Sequence, residues 1–407
     1  MFFSAYCREY KSGGTKGVMD KLVYLFYVLL FVILFWGAKF FGRKKWNDEF
    51  MSIPQTKALQ GFAAICILLH HVGQKTCAHW LNPKYIVHGL DVFVPIGYYF
   101  VGIFLFCSGY GLLKSYRAKQ DYLKGFFVRR ILPVILAYYS TGFIFLIFRF
   151  IMGEKLSVPQ VIYYITGLQL SNPNTWFVIA LPILYAGFYF AFKFCKKEGL
   201  AVFVTCMVVF VYTLIGTMID HNVWWMRGEW WYNSVHFFSL GLLFARYERT
   251  IVSRLKKHYI IYVLLAFVGI FVFYALSEYC MAVFSYYGEN FHANFKVLRR
   301  WVCLLSQMLA SCSFVFFVFM LGLKIKIGNK VLDFMGKIAF EFYLIHGLFI
   351  ELFGFNFTDV APSLYYIRNV TLFVIVIVVL SIPATILLQK FHKWVLGLCS
   401  KKERKHT

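Results

Sequence analysis

HYIIYVLLAFVGIFVFYALSEYC, residues 258–280, carries no formally charged side chain from Tyr259 to Ser277. A helix rising 1.5 Å per residue needs about 20 such residues to cross a hydrocarbon core of about 30 Å. Lys256 and Lys257 stand immediately before the run, as anchors at a membrane surface do. Comparable apolar runs recur along the chain near 22–41, 56–73, 92–113, 131–152, 175–192, 199–218, 230–245, 301–323, 331–354 and 367–389. The expected fold is therefore all-α, a polytopic transmembrane bundle of about eleven spans. The segment 157–170, around Pro159 and Thr166, reads as amphipathic or re-entrant. The 22–41 run lacks a small-residue cleavage site and has the length of a spanning helix rather than of a signal peptide.

Composition agrees. Apolar residues make up 60% of the 407 positions and charged residues 15%, against roughly 45–50% and about 25% in soluble domains. Mean hydropathy is +0.67. Trp224, Trp225, Trp230 and Trp231 cluster where a membrane–water interface would fall.

The formal charge of +24 invites a nucleic-acid reading, but the cations sit in short loops between apolar runs, as the positive-inside rule requires. One alternating set of loops, from Lys39–Lys57 to the C-terminal tail, holds 29 Lys and Arg; the other holds 9, and the tail before the first span holds 4. This asymmetry places the C-terminus in the cytoplasm and, with an odd number of spans, the N-terminus outside. No nucleic-acid partner is expected. None of the ten cysteines forms a CxxC pair, so neither a zinc site nor a disulfide framework is indicated.

Polar side chains inside spans mark functional candidates. His70 and His71 lie near the outer end of the second span. His71 is about 21 Å of helical rise from Lys57, and His346 about 22 Å from Val331, so the two histidine positions reach similar depth. Successive helical residues diverge by about 100°, so only one of the adjacent pair can face a given site. Glu341, five residues before His346, turns to a different face and needs its own partner. A neutral imidazole near physiological pH is a natural general base; the plainer alternative is a hydrogen-bonded packing residue. Arg129 and Arg130 open the fourth span just before Pro133, as topology anchors or as bidentate phosphate ligands for a donor such as coenzyme A. Ser108, in FLFCSGYGL (104–112), has no GxSxG elbow; with Gly109 it reads as a close-packing position more readily than as a nucleophile.

In order, KALQGFAAICILLHH (57–71), GYYFVGIFLFCSGYGL (97–112), VRRILPVILAYY (128–139), NTWFVIALPILY (174–185) and IAFEFYLIHGLF (338–349) resemble the integral-membrane acyltransferase family 3, which includes O-acetyltransferases of bacterial surface polysaccharides. The resemblance spans roughly 55–350. It implies ten core spans, with the 22–41 helix as an addition, and therefore three regions: 1–54 as tail and extra helix, 55–390 as the membrane acyltransferase domain, and 391–407 as a basic cytoplasmic tail. It also implies acyl-coenzyme A, usually acetyl-coenzyme A, as cytoplasmic donor, no metal, and a hydroxyl of an extracytoplasmic or lipid-linked glycan as acceptor. Carried over position by position, His71 matches the motif histidine, with His70 as the lesser candidate. Arg129 and Arg130 match the basic pair, and Glu341 and His346 the late helix. Trp176 falls in the tryptophan-containing span. The motif arginine is replaced by Gln60, with Lys57 one turn earlier as its substitute. On this reading His71 deprotonates the acceptor, Arg129 and Arg130 hold donor phosphates, and Glu341, His346 and Trp176 shape or polarise the cavity. A location in the bacterial plasma membrane follows, with lipids as partners and a homo-oligomer left open. Two alternatives stand beside it: a flippase for a lipid-linked saccharide, disfavoured by the absence of an internal repeat, and a receptor or scaffold, which leaves His71, Glu341 and His346 unexplained.

Overall fold

The apolar runs fold as helices, the conformation in which a segment satisfies its own backbone without water. The computed structural model describes residues 18–219, 221, 226, 228–284, 295–358 and 360–403; Trp224, Trp225 and the cations Arg8, Lys11 and Lys16 lie outside the described residues. In chain order the helices are α1 (Tyr24–Phe35), α2 (Ile53–Thr76), α3 (Gly97–Ala118), α4 (Leu132–Ile151), the short α5 (Val158–Thr166), α6 (Trp176–Phe194), α7 (Glu198–Met218), α8 (His236–Lys257), α9 (Tyr259–Val283), α10 (Lys296–Gly322), α11 (Lys330–Phe353) and α12 (Val370–Glu403). Among the described residues, strand is confined to three two-residue ladders. β1 (Val18–Met19) runs parallel to β3 (Val87–His88). The other two are antiparallel, β2 (Lys39–Phe40) with β4 (Ile325–Lys326) and β5 (Asn356–Phe357) with β6 (Ala361–Pro362).

Six helical stretches among the described residues are long and apolar enough to cross a membrane: 127–151, ending in α4, 173–194 containing α6, then α7, α9, α10, and 370–398 of α12. The chain is thus an all-α integral membrane protein. Helices α2, α3, α8 and α11 are as long but more polar. For α2 and α11 the reason is position, because each packs extensively on the other and keeps its polar side chains away from lipid.

One expectation changes. The 22–41 run is α-helical only over Tyr24–Phe35, which rises about 18 Å and falls short of a hydrocarbon core of about 30 Å. Gly37, at φ +73°, ends the helical path, and Lys39–Phe40 is drawn into the ladder with β4. Helix α12 continues unbroken to Glu403.

The two loop sets separated by charge gather at opposite ends of the bundle. At the cationic end β2 meets β4, the Lys324 ammonium donates to the carbonyls of Gly42, Arg43 and Lys45, and Lys256 pairs with Asp48 at 2.6 Å. There Lys326 also bonds Glu49 and holds its carboxyl below the usual carboxylate range. At the other end β1 meets β3, and Asp20 accepts a hydrogen bond from the Thr371 amide at the start of α12. The segment joining β1 to β2 therefore traverses the bundle, although its helix is short.

Glycines set the central pair. A Cβ on Gly61 would lie 2.6 Å from Gly336 N and from Leu332 O, and one on Gly336 would lie 2.3 Å from Lys57 O. At this crossing α2 and α11 therefore meet backbone to backbone, as small residues permit in membrane bundles. The parallel helices leave the contact in register.

Candidate active site

Ten residues beyond Gly61 stands His71, and ten beyond Gly336 stands His346. Equal rise from a shared contact, about 15 Å on each helix, brings both imidazoles to one level. They touch there: His71 Nδ1 lies 2.7 Å from His346 Nε2, and the rings are nearly parallel at 13°.

The bonding settles which nitrogens carry hydrogen. His346 Nδ1 is 2.7 Å from the Phe342 carbonyl, which can only accept, so Nδ1 donates and the neutral ring presents a lone pair at Nε2. His71 Nδ1–H must then donate to that lone pair, leaving His71 Nε2 unprotonated. His346 is fully buried and His71 half-buried. The relay from carbonyl to His346 to His71 thus fixes the tautomer and orientation of the His71 imidazole, an arrangement of the kind in which a third group orients a base.

Around this pair the packing is aromatic and polar. The Tyr343 ring lies edge-on to His71 at 6.0 Å and to Phe177 at 4.5 Å, and Trp176 packs against Phe177. A Cβ on Gly347 would strike the Asn174 side-chain nitrogen at 2.0 Å, so the glycine beside His346 admits that amide. One turn above His71, Lys75 pairs with Glu351 at 2.9 Å. Glu351 accepts the Thr358 amide at 2.6 Å, and Lys75 reaches the Asn356 carbonyl. The β5–β6 hairpin thereby roofs the site at the end opposite the cationic loops. Beside it, the buried Arg149–Glu154 pair holds both the Ser171 carbonyl and Thr358.

The other sequence candidates separate. His70 Nδ1–H donates to the Phe93 carbonyl at 2.8 Å, and its ring lies where a Cβ on Gly97 would be; it fastens the 91–93 turn to α2. Glu341 is not joined to the histidine pair. It faces α12, where it meets His392 at 3.4 Å and Gln389 at 3.5 Å. Arg129 is exposed and spends one guanidinium nitrogen on the carbonyls of Tyr122 and Lys124, while Arg130 bonds the Tyr122 hydroxyl at 2.9 Å. Both sit on a π-helical turn, Phe127–Ile131, at the head of α4. Ser108 bonds the Tyr185 hydroxyl at 2.8 Å, and its neighbour Gly109 is the packing position, 2.1 Å from Phe238 O if given a Cβ. Lys57 is exposed, and it is its backbone carbonyl that Gly336 meets; Gln60 is half-buried on α2.

His392, Ser140, Asn174 and the Lys75–Glu351 pair were not foreseen. His392 follows Lys390 in what reads as a basic tail, and Asn174 precedes the Trp176 span, so neither lies within an apolar run where a polar residue stands out. Among the described residues no cluster of three or more His, Cys, Asp or Glu is placed to hold a metal ion. Comparison with curated proteins and with solved structures finds no match. Residues 54–390, well over half of the chain, match the acyltransferase domain family. A helical membrane bundle with a polar centre is the setting such a domain requires, and the chain belongs to acyltransferase family 3.

Proposed function

We propose that this membrane acyltransferase moves an acyl group, acetyl in the first instance, from cytoplasmic acyl-coenzyme A to a hydroxyl of an extracytoplasmic or lipid-linked glycan at the bacterial plasma membrane. The chain crosses eleven times, the first crossing being made by α1 with its extended flanks, and the cationic end faces the cytoplasm. Arg129 and Arg130 meet the donor's phosphates on that side, where their remaining guanidinium donors suit bidentate contacts. The acceptor approaches from the end roofed by β5–β6. His71 Nε2 takes the proton of the attacking hydroxyl while His346 holds the ring. The observation that carries this reading is the 2.7 Å His71–His346 bond, backed by the Phe342 carbonyl, which leaves one lone pair available.

The test uses purified protein with radiolabelled acetyl-coenzyme A and membrane glycan. Label passes to the glycan, and His71→Ala lowers the rate by about 10²–10⁴-fold, the usual contribution of a general base, with unchanged yield of folded protein. Translocation of a lipid-linked sugar without label transfer would make the protein a transporter instead. A fully active His71→Ala would remove the assigned base.

A further inference from the structure

Glu341, the intramembrane carboxylate that the histidine pair does not use, belongs to a second constellation. His392 Nδ1 lies 3.4 Å from Glu341 Oε1, and on the other side of the same ring His392 Nε2 lies 2.7 Å from Ser140 Oγ. Three helices supply the three groups, α4, α11 and α12. The carboxylate can only accept, so His392 Nδ1 carries hydrogen and Nε2 is an acceptor for the serine hydroxyl, which also lies 3.2 Å from the Ala137 carbonyl; Nε2, at 2.7 Å, is the nearer acceptor. A carboxylate orienting an imidazole that takes a hydroxyl proton is the arrangement that activates serine nucleophiles on unrelated folds. The carboxylate–imidazole distance is long, as such bonds often are before substrate is bound. His392 is buried, whereas Ser140 and Glu341 are each half-buried.

Position points to what the serine would meet. Arg129 and Arg130 precede it on the same helical path by 11 and 10 residues, a rise of about 15 Å. Exposed Lys337, Lys390 and Lys393 occupy the neighbouring turns of α11 and α12. An anionic donor held at these cations can extend its thioester along α4 to Ser140. Glu341 lies five residues, about 7.5 Å of rise, from His346 towards the cationic end, so the serine stands between the donor side and the histidine pair.

We propose that Ser140, His392 and Glu341 carry out the acylation half of the transfer, forming an acyl-enzyme before the acceptor is engaged. This rests on the acyl-coenzyme A reading above. Ser140 Oγ bonds to the thioester carbonyl carbon as its proton passes to His392 Nε2, and Glu341 steadies the imidazolium. The tetrahedral oxyanion collapses and the carbon–sulfur bond breaks. The departing thiolate takes the proton from His392, giving free coenzyme A thiol, neutral His392 and an ester at Ser140.

Full-length protein in lipid nanodiscs is incubated with acetyl-labelled acetyl-coenzyme A, quenched in acid and digested. The expected result is label on the peptide containing Ser140, at up to one acetyl per chain. Ser140→Ala loses that label and releases thiol at least about 10²-fold more slowly. Ser140→Cys, which restores a nucleophile, carries the label as a thioester cleaved by neutral hydroxylamine and decides the matter should the alanine variant fold poorly. His71→Ala retains the label and accumulates it. Glycan acetylation at wild-type rate by Ser140→Ala, or transfer through the wild type with label never at Ser140, overturns the inference and leaves acyl transfer standing; the serine is then an interhelical clamp. A wild-type protein that acetylates neither itself nor membrane glycan overturns both.

Discussion

Substituting Gly336 by alanine tests whether the close approach of α2 and α11 sets the chemistry. The new Cβ would lie 2.3 Å from Lys57 O, about 1.1 Å inside the 3.4 Å at which ordinary contact begins. The obstacle is backbone, not a side chain that can swing away, so the helices themselves must part. Carried ten residues along to the histidines, a separation of that size stretches the 2.7 Å His71–His346 bond to about 3.8 Å, beyond the range of a hydrogen bond. Overpacking of this kind costs about 1–3 kcal/mol of stability, which a multi-helix bundle survives, whereas about 1 Å of misplacement at a reacting group costs about 10²-fold in rate. We therefore expect Gly336→Ala to remain folded by size-exclusion chromatography while its kcat for acetyl transfer falls about 10²-fold. Gly61→Ala, which meets Gly336 N and Leu332 O at 2.6 Å, should behave alike. Gly111→Ala on α3, with nothing within 4 Å of its Cβ, should match wild type. Wild-type turnover in both Gly336→Ala and Gly61→Ala would refute the claim that the glycine crossing registers the histidine pair.

His346→Ala removes the acceptor that holds His71 in one tautomer, and kcat should fall about 10²–10⁴-fold with the donor KM unchanged. His346→Gln, whose side-chain oxygen can accept the same hydrogen bond, should recover part of that loss in the same steady-state assay; equal loss in both variants would argue against tautomer control. Arg149→Ala leaves Glu154 with its side chain only 2% exposed and its charge unpaired, so thermal unfolding in detergent should report a loss of about 3–5 kcal/mol. An unchanged unfolding midpoint would mean the pair does not anchor the roof.

Sequence alone determined the features that depend on one helix at a time. Run length and loop charge specify helices and their alternation, because lipid penalises unsatisfied backbone and charge wherever they occur. Depth was legible for the same reason: rise per residue is constant, so His71 and His346 could be set at one level before any packing was known. The five-residue offset of Glu341 from His346 likewise indicated a separate partner.

What only the tertiary structure decided were relations between helices. That Glu341 faces His392, and His392 in turn Ser140, depends on how α12 lies against α4 and α11, and no periodicity in one segment encodes a neighbour's rotation. That His70 turns to the Phe93 carbonyl and against Gly97 while His71 meets His346 also depends on the neighbouring elements. The length of α1 was set by Gly37 and by a strand partner almost 300 residues away. Most of all, the His71–His346 contact that fixes the His71 tautomer exists because two glycines allow backbones to touch. Hydrogen-bond geometry tolerates errors of only a few tenths of an ångström, and that precision comes from packing between elements.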